Sequence, residues 1–377
     1  MTNQAANPGD AIKRLLAERV LSGVSGMTFG NWLRLLMKHR WKIDGPYWPR
    51  ASFVTGASFI TSVCCAYENR VYLASALKTR VEAPLFILGH WRSGTTYLHN
   101  LLALDPQFAY PTAYEVMNPH TFLATERWSR FVQFLAPTTR MVDNMKLDLA
   151  VPLEDEFATC IMTFRSPYMS WVFPSCAHHY DRYLTFAEAS SEELAEWKSA
   201  IRLFLGKLTV KHSRPLLLKS PPHTCRIRLL LNLFPDARFV HIYRNPYAVF
   251  QSTNHLHAFM YRACRLQRSD DQPIEERVIA QYQVMYERFF QERGLIPPGR
   301  FHELSFEELE RDPVAQMDRI YQALEIEGFN SVRPVLERYV ASLATYKKNQ
   351  YSELVPAIRR RVALAWRRSF HEWGYAA

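Results

Sequence analysis

The run Pro-Leu-Phe-Ile-Leu-Gly-His-Trp-Arg-Ser-Gly-Thr-Thr, residues 84–96, concentrates groups that could do chemistry. Glycines stand at both ends of the loop Gly89–Gly94, and two hydroxyls, Thr95 and Thr96, follow it. Leu85–Leu88 before it is wholly apolar, as a buried parallel strand requires. After it, Leu98, Leu101 and Leu102 share one helical face. Strand, glycine loop and helix in this order make an anion cradle, because loop amides point inward and the helix N-terminus adds partial positive charge. The spacing approaches the nucleotide P-loop, G-x-x-x-x-G-K-[ST]. Thr95 stands where the P-loop lysine would be, and the nearest cation is Arg92. The loop can therefore hold a phosphate-like group, but it lacks the lysine that reaches the β/γ-phosphates of ATP.

Two later strand ends add cations. Arg214–Lys219 reads as a core strand, continued by Ser220-Pro221-Pro222-His223-Thr224. Ligands of open α/β sheets bind at the C-terminal ends of strands, so Lys219 and His223 are expected at the same crevice as Arg92. Arg238–Arg244 reads as a further strand, and Asn245-Pro246 starts a helix through Tyr247–His255. Arg244 ends the strand and Ser252 lies two turns into the helix. A guanidinium fork with a hydroxyl near a helix N-terminus suits a dianion. Carboxylates stand in two places. Glu115 closes the aromatic loop Tyr110–Glu115, and Glu154, Asp155 and Glu156 follow Pro152 at a helix start, where the dipole favours acids. The second cluster leads into apolar Cys160–Phe164, a setting that suits a general base.

The loop Arg92-Ser93-Gly94-Thr95-Thr96, the Lys219 turn and the Arg244/Ser252 pair, in this order, resemble the bacterial branch of the sulfotransferases that use 3′-phosphoadenosine 5′-phosphosulfate (PAPS). The resemblance covers about residues 84–351. It implies that the loop amides, Ser93, Gly94, Thr95 and Thr96 hold the 5′-phosphosulfate and that Arg244 and Ser252 hold the 3′-phosphate. It implies that Arg92 and Lys219 stabilise charge on the leaving phosphate oxygen. The base that takes the acceptor's proton is Glu115, Glu154, Glu156 or His223. The basic-aromatic segment Tyr346–Tyr351, with Lys347 and Lys348, resembles by position the family's loop over the nucleotide. The reaction expected is sulfuryl transfer to an acceptor hydroxyl, lipid-like or another small alcohol, with cationic side chains and no metal neutralising the donor. The competing readings are an ATP-dependent P-loop-like kinase and a non-catalytic nucleotide-binding membrane adaptor. The missing lysine, and the lack of an apolar run ending in Asp, speak against the kinase.

The remaining chain must position these groups. Its 377 residues can bury a large core, and alternating strand and helix signals predict a three-layer, P-loop-like α/β fold around a central parallel sheet. Residues 1–80 are expected as a helical extension and 81–377 as the sulfotransferase domain. Ile12–Leu21 can form an amphipathic helix. Ala51–Tyr67 carries no charge, which suits a buried helix or an interfacial one flanked by Trp, Lys and Arg. Thr185–Leu208 is expected as a helix with Ser190 or Ser191 as its cap, residues 265–275 as a mobile loop, and Arg359–Arg368 as a basic amphipathic helix. The net charge of +10 points to an anionic ligand or a membrane surface. Scattered basic residues without a zinc-finger or RNA-binding signature exclude nucleic acid. The six cysteines form no C-x-x-C, and no apolar signal segment opens the chain, which reads as cytoplasmic, with membrane association open.

Overall fold

In the computed structural model, residues 24–128, 149–268, 274–343 and 353–377 are described. The expected helix Ile12–Leu21, most of the loop after 268, and Lys347 and Lys348 lie outside them. The chain divides into two compact units, each discontinuous in sequence. One comprises residues 1–79, 111–211 and 256–271, and the other 80–110, 212–255 and 272–377.

The second unit holds the sheet. Strands β1 (Leu85–Leu88), β2 (Leu217–Lys219), β3 (Arg238–Tyr243) and β4 (Phe301–Ser305) lie parallel in the order β2-β1-β3-β4. Side chains alternate across a strand, so each strand feeds two faces. Leu85, Ile87, Val240 and Ile242 face a core with Leu98, Leu101 and Leu102 of helix Thr95–Leu102, Met317 and Ile320 of helix Pro313–Ala323, and Leu336 of helix Phe329–Ser342. On the opposite face Phe86 packs on Phe234 and Phe239, and His241 stacks on Phe289 of helix Ile274–Glu292 at 4.1 Å. Helices thus cover both faces, giving the expected three-layer α/β fold. The expected basic C-terminal helix is two helices, Pro356–Ala365 and Arg367–Glu372. Trp366 between them stacks on Tyr282 at 3.6 Å, so this segment packs on its own core.

The first unit is helical. Ser190 caps the helix Ser191–His212 by accepting from the Glu193 amide at 3.3 Å, while Glu193 accepts from the Ser190 amide at 3.1 Å, a reciprocal capping box. That helix begins later and ends later than its sequence pattern suggests, because the cap sets its start. Helix Trp48–Lys78 contains the uncharged stretch and outruns it at both ends, furthest at the C-terminal one. Its Glu68 is fully buried, 2.7 Å from Lys207 Nζ, and accepts from the Ala124 amide. A buried charge needs such a set of partners.

Candidate active site

The loop after β1 is shaped by its glycines. Gly89 has φ 148° and donates its amide to Thr224 Oγ1 at 2.7 Å. A Cβ on Gly89 would lie 2.5 Å from the Ile242 carbonyl oxygen. Gly94 has φ 105°, and a Cβ there would lie 2.3 Å from the ring of Phe306. Both positions therefore exclude a side chain by conformation and by space. Within the loop, the Ser93 amide and hydroxyl both donate to the His90 carbonyl, at 3.1 and 2.8 Å, closing the turn. Ser93 is fully buried and braces the loop. Arg92 carries φ 68°, a left-handed conformation unusual for a side chain of this size. The helix Thr95–Leu102 starts at Gly94 with no side-chain cap, so its first amides are left for a ligand.

The strand ends bring cations to this loop. Lys219 ends β2 beside β1, is 2% exposed, and donates to Thr96 Oγ1 at 3.4 Å. Arg92 Nε donates to Ser252 Oγ at 2.7 Å, and Ser252 is itself buried. Arg244 follows β3, donates to the Arg92 carbonyl at 3.3 Å, and lies 4.3 Å from the Phe306 ring centroid. Arg92, Ser93, Gly94, Thr95, Thr96, Lys219, Arg244 and Ser252 thus form one connected set, although they come from four separate segments. The arrangement groups Arg92 with Ser252 and Arg244, whereas the sequence reading paired Arg92 with Lys219. The donor set is three cations, two threonine hydroxyls, a serine hydroxyl and open helix amides. Such a set fits a ligand with anionic groups at two places, as the doubly phosphorylated PAPS has.

His223 belongs to the short turn Pro221–Cys225, next to the Thr224 that holds Gly89. It is fully buried with its ring 5.4 Å from that of Phe86, a core position. Behind the loop, the His90 amide donates to the Tyr286 hydroxyl at 3.2 Å. Burial pushes His90 down to about 4, so its ring is neutral at pH 7 and bonds the Trp91 carbonyl through Nδ1 at 3.0 Å.

The candidate carboxylates lie in the first unit. The segment around Glu115 and the one before Glu154 are joined by backbone bonds, Ala113 to Val151 at 2.9 Å and Leu153 to Pro111 at 3.0 Å. Glu115 is fully buried and bonded to the Thr112 amide at 2.6 Å and to Lys211 at 2.7 Å. This is a capping box, a structural use of the side chain. Glu156 opens helix Glu156–Thr163 and is also fully buried. Glu154 is half-buried and accepts from the Tyr168 hydroxyl. Sequence reasoning missed Phe306, Thr224 and Tyr286. A glycine whose absent side chain makes room for a ring leaves no local trace of which ring that is.

The Sulfotransferase family model matches residues 84–331, which include the loop and all four strands. The chain belongs to the sulfotransferase family. Omega-hydroxy-beta-dihydromenaquinone-9 sulfotransferase Stf3 of Mycobacterium bovis and of Mycobacterium tuberculosis is in each case 37% identical over 351 residues, covering 93% of this chain and 90% of theirs. The crystal structure of sulfotransferase STF9 from Mycobacterium avium shares the fold, with a TM-score of 0.70 at 21% identity over 100% of this chain and 99% of that one. That of sulfotransferase STF1 from Mycobacterium tuberculosis gives 0.59 at 16% identity over 96% and 100%. This sulfotransferase is therefore an enzyme, and the kinase and adaptor readings fall away. Among the described residues, no helix is long and apolar enough to cross a membrane.

Proposed function

We propose that this sulfotransferase moves the sulfuryl group of PAPS to the hydroxyl of a lipid-like alcohol. One observation carries the donor assignment: the bonded set that links the loop, through Thr96 to Lys219 and through Arg92 to Ser252 and Arg244. PAPS, when bound, supplies the sulfuryl group. The open amides of helix Thr95–Leu102, with Thr95 and Thr96, hold the 5′-phosphate end. Lys219, beside Thr96, neutralises the charge that gathers on the leaving phosphate oxygen. Arg244 and Ser252 hold the 3′-phosphate, with Arg92 added to that end through its bond to Ser252. A guanidinium is no general acid, so Arg92 acts by electrostatics. Catalysis of this kind is positioning plus charge stabilisation.

For the base we take Glu154. Glu115 is committed to its cap and Lys211, His223 is packed against Phe86, and Glu156 is fully buried. Glu154 alone of these four is partly open, and the Tyr168 hydroxyl orients it. The relatives' name states an omega-hydroxylated dihydromenaquinone as their acceptor, and 37% identity over 93% of this chain supports a lipid-like alcohol here. The test of the donor is calorimetric titration with PAP, the desulfonated product, against ATP. Tight PAP binding with weak ATP binding is expected; a preference for ATP would overturn the assignment.

A further inference from the structure

Helix Trp48–Lys78 buries its carboxylate and one of its arginines while its large apolar side chains face outward. Its 31 residues span about 46 Å at 1.5 Å per residue. The side facing its own unit mixes polar groups with buried Ala51, Val54 and Ala76. Arg50, 2% exposed, donates to the Arg265 carbonyl at 2.7 Å, and Thr55 accepts from the Trp32 indole at 2.9 Å. Ser62 accepts from the Phe29 amide at 2.7 Å, and Glu68 is held by Lys207. The outward side carries Phe53, Phe59, Ile60, Val63, Tyr67 and Val71, which are 39–65% exposed. With Gly56, these fall at intervals of three and four and make one stripe. A helix facing water places its charges outward. Here the single carboxylate between residues 45 and 81 is Glu68, and it points inward.

The rim of the stripe has the composition of a membrane interface. Trp41 and Trp48 are 52% and 51% exposed near its start, with Arg40 and Lys42 exposed beside them in sequence. Arg70 and Lys78 are exposed toward its end. Indole rings and cations around an apolar stripe seat a helix at the headgroup level. The helix lies flat, because its inward side is bonded to the protein along most of its length. Charge decides the occupant. Pairing the same face of a second copy would bring cationic rims together with no exposed carboxylate between residues 45 and 81 to answer them. An anionic bilayer answers them directly. We propose that the outward face of helix Trp48–Lys78 is a docking surface for an anionic lipid bilayer. This goes beyond the transfer reaction and does not rest on the PAPS assignment.

The test is flotation of the full chain with phosphatidylcholine vesicles, with and without phosphatidylglycerol. The protein is expected to float with the anionic vesicles. Phe59→Glu combined with Ile60→Glu is expected to weaken partition by at least about 100-fold. Lys42→Gln combined with Arg70→Gln is expected to weaken it by about 25-fold, about fivefold per charge. Both variants keep their circular dichroism and PAP titration, since neither pair touches the donor site. Wild-type protein that fails to float, or a glutamate variant that floats as well as wild type, overturns the proposal. So does a dimer in sedimentation velocity that the glutamates dissociate while no form floats, which would assign the face to a second copy.

Discussion

Gly94→Ala tests how the donor loop is built. Gly94 has φ 105°, where an alanine is strained by on the order of 1–3 kcal/mol. Its Cβ would also lie 2.3 Å from Phe306 Cδ2, inside any allowed contact. Phe306 must move, at an overpacking cost of about 1–3 kcal/mol. The sum, about 2–6 kcal/mol, is a large part of the stability of an ordinary domain. The displaced ring is also the one that Arg244 lies against, at 4.3 Å. Arg244 should then lose the place proposed for it at the 3′-phosphate, and a hydrogen bond to a charged group is worth about 1.5–3 kcal/mol. The assay combines denaturant unfolding with calorimetric titration of PAP and of adenosine 5′-monophosphate, which lacks the 3′-phosphate. A lower midpoint is expected, with PAP affinity falling about 10- to 150-fold more than that of the monophosphate. Equal losses for the two ligands would show that Phe306 does not hold Arg244 for the 3′-phosphate. An unchanged midpoint and unchanged affinity would refute the packing argument itself.

Arg244→Ala should weaken PAP binding far more than acceptor binding, which titration and the acceptor KM report separately; comparable losses would argue against its place at the 3′-phosphate. Glu154→Gln should lower kcat by roughly 10²–10⁴-fold with PAP affinity intact, and a fully active variant would remove it as the base. His90 is held near 4 by burial, against about 6.5 in an unfolded chain. Its contribution is therefore present above about pH 6.5 and is lost as pH falls toward 4, since the unfolded chain then takes up a proton the native ring refuses. His90→Asn should flatten the stability slope in that window by about 1.4 kcal/mol per pH unit; unfolding midpoints with the same slope as wild type would count against this.

The candidate site's local geometry was legible in the sequence. The loop between Gly89 and Gly94 declares itself, because an apolar strand, two glycines and a helix start are contiguous. Lys219 and Arg244 could be expected together, because the ends of parallel strands share one edge of the sheet. Spacing left the cap of helix Ser191–His212 between Ser190 and Ser191, and the reciprocal bonds with Glu193 chose Ser190. Other features depend on partners far away in the chain. Arg92 bonds Ser252 across 160 positions, and its grouping with Arg244 instead of Lys219 is a product of tertiary packing. Phe306 under Gly94 is equally remote. Glu115 looked like a free acid in a loop until Lys211 and the Thr112 amide were placed around it. Helix Trp48–Lys78 is the clearest case. Its sequence shows that charge is missing but not which side faces water, because small hydroxyls and apolar residues alternate around it. That choice came from Lys207, Trp32 and Arg265, whose bonds to Glu68, Thr55 and Arg50 draw these side chains inward. Contiguous residues determine a loop by themselves. The partner of a buried charge, and the face a helix turns outward, are decided only when distant segments meet.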